Sequence, residues 1–103
     1  MEVTEQNFMD EVLKSETPVL LDMWATWCQP CKALEPIIDQ VDKEYTGKIK
    51  VGKIDIGTYS GIASRYGVVS APTLMVFKNG QPVSMIVGVH SKQTIEAEIN
   101  KHI

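Results

Sequence analysis

Apolar residues along this chain form two kinds of run, short continuous ones and longer ones that repeat every three or four positions. Phe8, Met9, Val12 and Leu13 repeat at helical spacing behind Thr4, a capping residue type, and Ser15-Glu16-Thr17-Pro18 reads as the turn that ends this first helix. Val19-Leu20-Leu21-Asp22-Met23-Trp24 is a nearly continuous apolar run, the pattern of a strand buried on both faces, interrupted by the charge of Asp22. From about Cys28 to Tyr45, Leu34, Ile37, Ile38 and Val41 mark one face of a helix that also carries Lys32, Glu35, Asp39 and Lys43. Pro36 is expected to kink it, since proline lacks a backbone donor and crowds the carbonyl four residues earlier. Gly47 is a plausible stop.

Ile49, Val51, Ile54 and Ile56 alternate imperfectly with polar residues as a second strand, and a short helix between Ser60 and Tyr66 is closed by Gly67. Leu74 to Phe77 and Val83 to Val87 flank Lys78-Asn79-Gly80-Gln81, where Asn79-Gly80 is a strong hairpin signal. Ser91 caps a last helix with Ile95, Ile99 and Ile103 on one face. Met9, Met23, Met75 and Met85 read as core filler, Trp24 as core and Trp27 as surface. The order of elements, a βαβαββα core, predicts an α/β fold with a central mixed β-sheet and helices on both faces. With 103 residues, one domain spanning 1–103 is expected.

Composition narrows the function. A formal charge of -3 supplies no basic field for a nucleic-acid backbone, so nucleic acid is not expected as a partner. No apolar run approaches the roughly 20 residues that span a bilayer, so no membrane partner is expected. Met1-Glu2-Val3-Thr4-Glu5-Gln6 is not a basic segment leading into an apolar one; no secretory signal is expected, and the location expected is the cytoplasm.

Both cysteines lie in the segment Trp27-Cys28-Gln29-Pro30-Cys31. A disulfide there closes too short a loop to staple a fold, because such a bridge constrains the unfolded chain more when its loop is longer. A structural zinc site takes about four ligands, and His90 and His102 lie far off without ligand spacing, so a metal half-site is a minor alternative to redox use. At positions i and i+3 of a first helical turn the two Cα atoms stand roughly 5 to 6 Å apart, within disulfide reach. The unpaired N–H groups and positive dipole end of the helix favour an anion, which points to Cys28 as an acidified thiol and nucleophile. Pro30 suits the start of a helix. Cys31, further in, is expected to be the less exposed sulfur and to resolve the mixed disulfide. Asp22, placed in an apolar strand, is expected to have a raised pKa.

The segment Val19 to Lys32 resembles the active-site segment of the thioredoxin family. The likeness continues in register through Pro36, Lys53-Ile54-Asp55, Tyr66-Gly67-Val68, Ala71-Pro72-Thr73, Phe77-Lys78-Asn79-Gly80 and Val87-Gly88. The resemblance implies that Asp22 lies beneath the cysteines and moves the proton of Cys31, with Lys53 nearby in a secondary role. It implies that Pro72 is a cis-proline facing the disulfide. It implies a shallow docking surface formed by Trp27, Ile56, Ala71, Pro72, Val87, Gly88 and Val89. No cofactor is implied beyond the Cys28–Cys31 disulfide itself. The implied partners are disulfide-containing proteins and a thioredoxin reductase, either a flavoenzyme or a ferredoxin-linked enzyme, and the implied state is a monomer.

Gln29 stands where the family commonly has glycine, between cysteines whose intervening residues tune the reduction potential. Met23, Gly57 and Ala71 also depart from the common pattern. The favoured function is reduction of protein disulfides, with a disulfide oxidant or isomerase and a non-catalytic binding module as alternatives. The absence of a histidine before Cys31 favours the reductant.

Overall fold

The computed structural model describes all 103 residues. In chain order the main elements are β1 (Val19–Trp24), α1 (Gln29–Glu44), β2 (Lys50–Asp55), α2 (Ser60–Arg65), β3 (Thr73–Lys78), β4 (Gln81–Val87) and α3 (Lys92–Asn100). The sheet order is β2-β1-β3-β4, with β1 parallel to β2 and antiparallel to β3, and β3 antiparallel to β4. This is the mixed α/β architecture that the hydrophobic pattern predicts.

Strand alternation divides the core between the two faces of the sheet. Leu20 of β1 joins Leu34, Ile38 and Val41 of α1 and Ile95 and Ile99 of α3. Val19, Leu21 and Met23 point the other way, onto Phe8, Val12, Ile62 and Val68. There Phe77 makes edge-on contacts with Phe8 and Tyr66 at ring-centroid distances of 5.9 and 5.3 Å. The strand read as buried on both faces is so because a helical layer covers each.

Several local expectations need correction. The first helix is one turn of π-helix, Met9–Leu13. Thr4 caps the turn before it, its Oγ1 accepting the Asn7 N–H at 3.2 Å. Met9 is exposed because the wider turn buries Phe8 and Val12 instead, and Met85 is exposed because nothing packs on that face of edge strand β4. Ile103 lies beyond the end of α3 and is also exposed. Trp24 is only half-buried, because the end of β1 borders an open cavity. Pro36 lies inside α1 (Gln29–Glu44), where the sequence places it.

The hairpin follows its sequence signal, with Asn79 and Gly80 both at positive φ (54° and 78°), as a two-residue turn of type I′ requires. One pairing has no such signal. The N-terminal segment lies parallel to β2, the Val3 N–H donating to the Lys53 carbonyl at 2.7 Å and the Lys53 N–H to the Met1 carbonyl at 2.9 Å. Gly52 permits this approach, for a Cβ there would lie 2.7 Å from Val3 Cγ2.

Candidate active site

Strand β1 ends at Trp24, and a turn closed by the Cys28 N–H on the Ala25 carbonyl (3.1 Å) delivers the chain into α1. Cys28 is the N-cap, in extended conformation, and Pro30 falls in the first turn. Cys28 and Cys31 are joined as a disulfide with their Cα atoms 5.4 Å apart. The Cys28 Sγ accepts the Cys31 N–H at 3.1 Å, so a backbone donor already points at the sulfur that would carry a thiolate.

Both cysteines are buried, Cys28 3% and Cys31 6% exposed as whole residues. The N-cap geometry folds the Cys28 sulfur back over the first turn, and Trp24, Ile56 and Ala71 pack around the pair.

Asp22, 4% exposed, lies on the same face of β1 as Leu20, two positions along, and pairs in register with Lys53 of β2 and Leu74 of β3. Its Oδ1 has no hydrogen-bond partner. Burial raises its pKa to about 6; the charge of Lys53 acts downward, and those of Glu35 and Asp39 act upward. A cavity of about 500 Å³ joins Asp22 to Cys31 and is lined also by Trp24, Glu35 and Lys53. Lys53 shares this cavity, but its Nζ bonds Asp39 Oδ1 at 2.9 Å. Burial pulls the Lys53 pKa down, and the hydrogen bond and charge of Asp39, with Glu35 and Asp22, outweigh it and raise it.

On the other side of the disulfide, Trp27 is 71% exposed. It lines, with Ile56, Val68 and Val69, a recess of about 370 Å³. The Ala71-Pro72 peptide is cis, and the Pro72 carbonyl accepts the Gly88 N–H at 2.8 Å, which ties the end of β4 to the loop before β3. Ala71 packs on the cysteines, while Val87 and Val89 are exposed and Gly88 half-buried beyond them. Gln29 is exposed at the first position of α1. The fold thus packs Trp24, Ile56 and Ala71 against the cysteine cluster and sets Asp22 and Lys53 on one cavity with Cys31.

Asp39 and Glu35 were legible only as polar helix positions. Their signal was their spacing, since Cys31, Glu35 and Asp39 follow at intervals of four and share a helix face. No three His, Cys, Asp or Glu side chains converge as a metal-binding group, and no helix is long and apolar enough to cross a membrane.

The sequence matches the thioredoxin family over residues 1–101. It is 46% identical over 102 residues to Thioredoxin 1 of Nostoc sp., covering 99% of this chain and 95% of that one. It is 48% identical over 101 residues to a thioredoxin of Rickettsia felis (98% and 96% covered) and 43% over 102 residues to one of Porphyra purpurea (99% and 95%). A cysteine pair closed at the head of a helix, above a buried carboxyl in a mixed sheet, agrees with this likeness from end to end: the chain belongs to the thioredoxin family of thiol–disulfide oxidoreductases.

Proposed function

We propose that the chain, acting as a single domain, reduces disulfides of target proteins, with Cys28 attacking and Cys31 resolving. The reduced protein presents a Cys28 thiolate, stabilised by the first-turn N–H groups of α1. It attacks one target sulfur; a Cys28–target disulfide forms, the target S–S bond breaks, and the other target sulfur leaves as a thiolate. Asp22 then accepts the Cys31 proton. The Cys31 thiolate attacks Cys28, expelling the target sulfur bonded to it as a thiolate and closing the Cys28–Cys31 bond. Two electrons pass to the target, and its departing thiolates take up protons from Asp22 and water.

In this reading the backbone of Ala71, just before Pro72, pairs with an extended target segment, while Trp27, Ile56, Ala71, Pro72, Val87, Gly88 and Val89 form the docking surface around it. Gln29 and Pro30 tune the potential, and Lys53 steadies the charge at Asp22. No cofactor is needed beyond the cysteine pair. The monomer works in the reducing cytoplasm and is recharged by a flavoenzyme or ferredoxin-linked reductase. The observation that carries this reading is the Cys28–Cys31 disulfide on the first turn of α1, sharing a cavity with a protonatable Asp22.

With a dithiol donor and insulin as target, the wild-type protein accelerates insulin precipitation and Cys28→Ser falls to the uncatalysed rate. Retention of catalysis by Cys28→Ser overturns the mechanism. Supplying electrons from each class of reductase in turn identifies the donor.

A further inference from the structure

The cavity joining Asp22 to Cys31 is bordered by more charge than the exchange step uses. From α1 come Lys32 and Glu35, with Asp39 one turn beyond; from β2 and the turn after it come Lys53, Asp55 and Tyr59; from the N-terminal segment come Glu2 and the Met1 ammonium. Most of these are engaged. Lys53 is bound to Asp39 at 2.9 Å, Asp55 accepts the Gly57 N–H at 2.9 Å and the Thr58 hydroxyl at 3.0 Å, and the Met1 ammonium donates to the Val51 carbonyl at 3.0 Å. Glu35 forms no ion pair. It stands one helical turn after Cys31 and lines the cavity wall along with Asp22.

Resting on the proposed role of Asp22, we infer that Glu35 is a positioning residue of the exchange reaction, its unbalanced carboxylate holding the proton on Asp22 and so setting the pH at which Asp22 can take the Cys31 proton. The argument is electrostatic. An ion pair seen from outside is a dipole whose field largely cancels, so Lys53 bound to Asp39 relieves Asp22 less than a free lysine would. Glu35 has no such partner, and it shares with Asp22 the cavity across which its charge acts. Of the charges around Asp22, those of Lys53, Glu35 and Asp39 act on it. Glu35 is exposed on the helix, so replacing it leaves the core intact.

The test is the titration of the Asp22 carboxyl, followed by carbon NMR in the oxidised protein, together with the acid limb of the pH profile for mixed-disulfide resolution. Glu35→Gln is expected to lower the Asp22 midpoint by about half a pH unit, roughly threefold more ionised Asp22 below the midpoint, and to move the acid limb the same way. Glu35→Asp, which keeps the charge, should restore most of both, and Glu2→Gln should move neither. An unmoved midpoint in Glu35→Gln, or an equal shift in Glu2→Gln, overturns the inference while leaving the Asp22 mechanism standing. A shifted midpoint with an unmoved acid limb instead shows that Asp22 is not the proton acceptor, and the underlying reading fails.

Discussion

Leu20 and Asp22 are two residues apart on one strand and face the same side of the sheet, yet their surroundings are opposites. Leu20 meets Leu34, Ile38 and Val41 of α1 and is sealed. Asp22 meets the start of the same helix, where the cysteine pair and an open cavity replace close packing, and its Oδ1 is left without a partner. A buried carboxyl without a hydrogen-bond partner is costly. One end of β1 therefore serves stability, and the other carries a costly buried carboxyl on the cavity it shares with Cys31.

Truncation at the sealed end should have the largest effect on folding. Leu20→Ala is expected to cost about 2–5 kcal/mol by leaving a cavity between β1, α1 and α3. Denaturant unfolding measures this, and the Asp22 midpoint should stay near its wild-type position. A large movement of that midpoint would mean that the two ends of β1 are not independent.

At the open end the sign reverses. The folded Asp22 carboxyl keeps its proton to about pH 6, whereas its ordinary value is 3.8. Between these values the folded state binds more protons than the unfolded one, so stability falls as pH rises; the penalty is absent below about pH 4 and complete above about pH 6. Asp22→Asn should therefore stabilise the oxidised protein by on the order of 3 kcal/mol at pH 8 and by almost nothing near pH 3.5, while slowing exchange. Equal stabilisation at both pH values would assign the gain to packing rather than charge.

The edge of the sheet offers a smaller perturbation. Gly52→Ala places a methyl against Val3 and should cost about 1–3 kcal/mol by displacing the N-terminal segment from β2. Faster hydrogen exchange at the Val3 and Lys53 amides would localise the damage. Unchanged exchange there would separate the N-terminal pairing from the close packing at Gly52.

Much of this was legible in the chain because the signals are local. The run Val19 to Trp24, the spacing of Leu34, Ile38 and Val41, the Asn79-Gly80 turn and the Ser91 cap each prescribe an element through neighbours a few residues away. The cysteine pair is local in the same sense, since an i, i+3 spacing at a helix start sets its own geometry. What escaped depended on distant contacts: the exposure of Met9 and Met85, the π-helical form of the first turn, and the N-terminal segment alongside Gly52.

The sequence by itself determined the elements, the sheet's mixed character, and the position of two thiols on a first helical turn, for these follow from periodicity and backbone chemistry. Beyond Lys53, which the family resemblance already placed near Asp22, only the tertiary structure decided which charges surround that carboxyl. Lys53 is bound to Asp39, residues far apart in sequence, and Glu35 is left unpaired on the same cavity, because the crossing of α1 over β1 and β2 brings those side chains together. Electrostatic interactions act through space, and no reading along the chain reveals which of ten cations and thirteen acids will be near one carboxyl.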